Sequence, residues 1–187
     1  MARGYTTKAD VEAYMQTDID ASFNDQLDIW IASVEDEVDR LADRQLLADD
    51  AETTLKYDGS GQDSLMIDDF ATITEVLIGE TSYLTDIFFY PTNKPYTWKL
   101  TRVVPFPKDM QNISVTGLKG AYVTLPTNIT VAVSILVAGV VNSSTNFTDG
   151  EVRSESIGRY SVTFISEDKR RDFVGAMATI KSYRRLR

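Results

Sequence analysis

Apolar residues recur at intervals of three and four through Leu27, Trp30, Ile31, Val34, Val38 and Leu41. That spacing puts them on one stripe of a helix. With Ser22 and Asp25 as a capping signal, it predicts a long amphipathic helix over residues 22–47. Glu35, Asp36, Asp39 and Asp43 lie largely off the stripe, so the helix has a second, strongly acidic face. A shorter helix is predicted at residues 7–16, opened by Thr7 and Asp10, with Val11, Tyr14 and Met15 on one face. Residues 18–21 make the turn between them.

The period then changes. Residues 55–57 and 65–68 read as two strands joined by the tight turn Asp58-Gly-Ser-Gly61. Residues 72–78 read as a third strand, stopped by Gly79. Between 80 and 110 the chain is rich in aromatic residues and proline, which predicts an extended segment with short strands near 98–103 and 113–115. Residues 129–141 are apolar and β-branched, a composition that favours a strand. Even so, Ile129, Val133, Leu136, Val137 and Val140 fall at helical spacing behind Pro126, and fifteen residues is long for a strand, so a helix over 126–141 is predicted. A polar loop follows, then an alternating extended segment, the two covering residues 142–166. The last helix, residues 167–184, is basic at its end, which suits the helix dipole. The whole is an α+β chain. It is expected to form one domain over 1–187, a helical body with a β-rich insertion at 53–116 and a flexible tail at 183–187.

Composition removes several kinds of chemistry. Of 187 residues none is cysteine and none histidine, so disulfides, thiolate or histidine catalysis and His- or Cys-ligated metals are excluded. The amino terminus has no apolar core of the secretory kind, and the apolar run from Ile129 to Val141 is too short to span a bilayer. No membrane association is expected. The net charge of −9 hides a split: residues 1–90 carry 21 acidic and 5 basic side chains, residues 91–187 carry 7 and 14. Such polarity suits head-to-tail pairing of identical subunits, or two partners of opposite sign.

The carboxylate clusters are weak as sites. Asp18 and Asp20 fall in a turn, where turn-making explains them. The run from Asp58 to Asp63 fails as a calcium loop, because Asp63 stands where the central glycine belongs. Neighbouring acids on a helix point in different directions and do not converge on one substrate atom. No phosphate-cradling glycine motif is present. No cofactor or metal is expected, and sequence-specific nucleic-acid binding is not expected either.

One resemblance spans nearly the whole chain. It is carried by Tyr5-Thr-Thr-Lys-Ala-Asp-Val-Glu-Ala-Tyr14, the long amphipathic helix, Lys56-Tyr-Asp-Gly59, Tyr90-Pro-Thr-Asn93, the Gly117 and Gly120 pair with Leu125-Pro126, and Ser182-Tyr-Arg-Arg185. The most telling piece is Glu155-Ser-Ile-Gly-Arg-Tyr-Ser-Val162. In these the chain resembles the head–tail connector (adaptor) proteins of tailed bacteriophages. The resemblance implies a structural, non-enzymatic subunit of a homo-oligomeric ring, commonly dodecameric, docked beneath the portal protein of the virion and assembled in the host cytoplasm. A tail-side protein would lie on its other side, with double-stranded DNA passing through the lumen. It further implies an inter-subunit loop carrying Glu155, Ile157, Gly158, Tyr160 and Val162, and a portal-contacting tail of Tyr183, Arg184, Arg185, Leu186 and Arg187. Double-stranded DNA carries about one charge per 1.7 Å, so an acidic lining would repel it and let it slide. Glu35, Asp36, Asp39 and Asp43 are the candidates for that lining. Two alternatives stay open: a tail-completion or neck protein of the same particle, and a carboxylate-dependent hydrolase using Asp58, Asp63 or Asp68.

Overall fold

A computed structural model describes residues 3–145, 153–164 and 167–185. The chain divides into two compact units, one of Met1–Arg44 with Leu125–Arg187 and one of Gln45–Thr124. The α+β class holds, with the β-rich insertion running from 45 to 124.

The first unit is helical: α1 (Lys8–Met15), α2 (Asn24–Ala42), α3 (Thr127–Thr145) and α4 (Glu167–Ser182), with a hairpin of β7 (Arg153–Ile157) and β8 (Tyr160–Phe164). Thr7 caps α1 in a full capping box with Asp10. The apolar stripe of α2 is buried at Leu27, Trp30, Ile31, Val34 and Val38. The helix stops earlier than its sequence predicts. Asp43 turns left-handed (φ 51°) and ends it at Ala42, so the expected stretch to residue 47 is not helical. α3 is apolar over most of its circumference, with Ile129, Val133, Leu136, Val137 and Val140 buried and Val131 50% exposed. It contacts α1, α2, α4 and β8. It is also long and apolar enough to cross a bilayer, but 56% of that window is buried in this unit, which makes it the core helix.

The second unit is an antiparallel sheet in the order β1-β6-β2-β5-β4: β1 (Thr53–Gly59), β2 (Ser64–Ile78), β4 (Phe88–Tyr90), β5 (Thr97–Thr101) and β6 (Asp109–Lys119), with the two-residue β3 (Thr81–Ser82) pairing with β2. Leu65, Ile67, Phe70, Val76, Leu100, Ile113 and Val115 form its core with Ile87 and Phe106. Residues 65–68 and 72–78, expected as two strands, are one 15-residue strand. Irregularities at residues 66–75 let β2 pass from its pairing with β5 to its longer pairing with β6. At the base of the unit Ala48 and Asp49 donate to the carbonyls of Tyr122 and Lys119 (both 2.8 Å). Gly120 makes that approach possible. Its φ is +131°, and a Cβ there would lie 2.4 Å from the Ala48 Cα.

Candidate functional site

The acidic row of α2 does not form one solvent face. Glu35 is fully buried. Its Oε1 accepts the Tyr5 N–H at 2.7 Å and the Thr6 N–H at 3.4 Å, and its Oε2 accepts the Arg3 N–H. Asp39 accepts the Tyr5 hydroxyl and pairs with Arg3 Nε at 3.0 Å, leaving its side chain 13% exposed. Thr6 Oγ1 lies 2.6 Å from Ser134 Oγ on α3. Residues 3–6 thus form a strap that α2 and α3 hold down. The expected channel lining is corrected here: Glu35 cannot face a lumen, and Asp39 is turned to the strap. Asp36 is exposed (72%), and Asp43 is half-buried at the helix end. The sequence carried a signal for this, because Glu35 lies four residues after Ile31 and three before Val38, inside the apolar stripe. A carboxylate there must find donors or lose its charge.

The segment expected as an extended inter-subunit loop is a hairpin on its own helical unit. Glu155 pairs with Val162 and Ile157 with Tyr160 across the two-residue turn Gly158-Arg159. Ile157 and Val162 are buried (1% and 0% exposed), with β8 against α3 and α4. As core residues they cannot be an exposed contact for a neighbour. Gly158 comes so close to α2 that a Cβ on it would lie 2.6 Å from Glu37 Oε2. The alternation around Ile157 and Val162 gave the strands, and the central glycine was the overlooked hairpin signal.

The expected flexible tail is held at its start. Tyr183 donates to Asn128 Oδ1 at 3.0 Å, and the Arg185 N–H bonds to the Ala42 carbonyl at 2.9 Å. Arg184 is exposed. Leu186 and Arg187 lie outside the described residues, as does the part of the expected polar loop at 146–150.

Two of the carboxylates considered for hydrolysis have local roles. Asp58 accepts the Gln111 N–H at 2.7 Å, and Asp68 accepts the Tyr57 hydroxyl at 3.0 Å. No group of three or more acidic residues among the described residues is arranged to hold a metal. Tyr14 on α1 has a perturbed phenol. Burial, and then its hydrogen bond to Asp172, push its phenol up to about 12. The folded state therefore binds that proton more tightly than the unfolded chain. The stability this contributes is complete below the ordinary value of 10.0, and it fades as pH rises towards 12. Tyrosinate absorbance of the folded protein is expected to lose a late-titrating contribution in Tyr14→Phe. A Tyr14→Phe spectrum identical to wild type at high pH would contradict this.

These helices and this sheet, in this order, have counterparts among known structures. A chain in the structure described as the neck of an empty GTA particle, computed with C6 symmetry, matches with a TM-score of 0.59 and 14% identity over 96% of this chain and 88% of that one. The two share a fold. A chain of the neck of a native GTA particle, computed with C12 symmetry, matches over the same shares with a TM-score of 0.53 and 16% identity. No family profile and no curated protein matches the sequence. At these identities the likeness to the GTA (gene transfer agent) neck lies in the path of the chain. The motif residues must be judged on their own packing.

Proposed function

We propose that the protein is a structural ring subunit of the head–tail neck of a phage-type particle, a connector that acts by shape and surface complementarity between copies. The observation that carries this reading is that 96% of the chain follows the path of chains from GTA-particle necks computed with C6 and C12 symmetry. The separation of charge along the sequence supports it, because unlike surfaces on one subunit suit a heterologous contact that closes into a ring. In this reading the portal protein lies on one side, a tail-side protein on the other, and double-stranded DNA passes through the lumen. The protein belongs to the virion and is assembled in the host cytoplasm. With Glu35 and Asp39 committed to the strap, the exposed Asp36 and the half-buried Asp43 are the members of the expected acidic lining left to face DNA.

Purified protein mixed with portal rings is expected to add a new collar of sixfold or twelvefold symmetry in electron micrographs. Portal rings that gain no collar at saturating protein would refute the connector reading. Capture by tail tube in place of portal would move the subunit to the tail side of the neck.

A further inference from the structure

Helix α2 has an open groove near its amino-terminal end and a basic corner at its carboxyl-terminal end. The groove has a volume of about 380 Å³, is walled by Met15, Ile19, Phe23 and Trp30, and carries Asp18 and Asp20 at its rim. Phe23 is 43% exposed, although Trp30, seven residues on, is buried. Lys169 also lines the groove, but its ammonium lies 4.7 Å from the centroid of the Tyr14 ring, over the ring face, and is already engaged. Asp20 is held below the usual carboxylate range, first by the Ser22 N–H, so it keeps its charge.

At the other end, the bond from the Arg185 N–H to the Ala42 carbonyl places the exposed Lys181 and Arg184 beside the end of α2. Next in sequence come Leu186 and Arg187. The segment Arg184-Arg-Leu-Arg187 therefore sets one aliphatic residue among three cations, the complement of an apolar groove with an acidic rim.

We infer that the groove of one copy receives the Arg184-Arg-Leu-Arg187 segment of a neighbouring copy, with the exposed Arg184 guanidinium paired with Asp18 and Asp20. This deepens the ring reading and rests on it. The geometry requires two copies. From Ala42 back to Trp30 is about 18 Å of helix rise, and to Phe23 about 28 Å, farther than the side chain of Arg184 reaches from its anchored backbone. The contact joins unlike surfaces, so each copy gives a segment to one neighbour and takes one from the other, and the series closes when the rotation allows. The same basic segment docked on the portal is the competing destination.

The chain has no cysteine, so engineered pairs report cleanly. Portal-bound collars of the Asp18→Cys, Arg184→Cys double variant are expected to oxidise to a ladder of covalent multimers, with neither single variant advancing beyond traces of dimer. Collars that form normally and give no ladder would overturn the docking while leaving the ring intact. Wild-type protein that never forms a collar would remove the ring reading itself. As a second arm, Arg184→Glu is expected to weaken collar assembly about tenfold, the scale of one close charge pair. Adding Asp18→Lys in the same chain is expected to restore it. A loss that Asp18→Lys leaves unrepaired places the segment on the portal and refutes the neighbour groove.

Discussion

Replacing Glu35 with alanine is expected to destabilise the protein by about 3–5 kcal/mol, the range for removing one partner from a buried charged network. The fully buried carboxylate accepts the N–H groups of Arg3, Tyr5 and Thr6. Without it those donors are left inside with no acceptor, and the strap that carries the buried Tyr5 and Thr6 loses its anchor. Glu35→Gln keeps the shape but turns an amide N–H₂ towards donors, so it is expected to fall between alanine and wild type. The midpoint of urea unfolding measures both. Hydrogen exchange should localise the change, with amides of residues 3–6 losing protection before those of α3. A Glu35→Ala loss below about 1 kcal/mol, within the range of ordinary surface substitutions, would show that the strap is held by something else. The same experiment separates a structural from a channel role: a lining carboxylate could be replaced without any change in stability.

Gly120→Ala carries the second large effect. Two terms act together: a backbone conformation that side chains rarely adopt, and a Cβ placed 2.4 Å from the Ala48 Cα and 2.6 Å from the Leu47 carbonyl oxygen. Strain and overpacking each cost about 1–3 kcal/mol, so a combined loss of about 4 kcal/mol is expected. Gly79→Ala isolates the first term, since its φ is +61° and nothing lies within 4 Å of the added atom. Its expected cost is about 1–2 kcal/mol. Equal losses at the two positions would mean that the close approach of residues 48 and 120 contributes nothing to stability. The Gly117 and Gly120 pair that stood out in the sequence thus has a packing explanation. At Gly117 a Cβ would come within 2.0 Å of the Thr72 carbonyl oxygen on β2.

The candidate residues divide by how locally their environment is set. For Ile157 and Val162 the resemblance implies an inter-subunit loop, and the alternation around them suits an extended segment and a strand pair equally. Their burial depends on α3 and α4, which contact β8. Tyr183 and Arg185 looked like a free basic end, and only Asn128 and the Ala42 carbonyl, far away in sequence, fix them. The groove at Met15, Ile19, Phe23 and Trp30 had no signature at all, since those residues are brought together by a turn and two helices.

What the sequence determined by itself is the set of elements. A stripe at three- and four-residue spacing placed α2 and α3, the capping pair Thr7 and Asp10 placed α1, and alternation with glycine turns placed much of the sheet. These follow from neighbours in the chain, because helix and strand periods decide which side chains share a face. The tertiary structure decided where each element stops and what each charge does. α2 ends at Ala42, where Asp43 turns left-handed, and residues 45–49 go on to pair with residues 119–122, while β2 runs unbroken because it has a different partner at each end. Glu35 is a buried anchor because donors 29 to 32 residues away reach it. A carboxylate's role is set by the donors that replace its water, and those donors come from the fold.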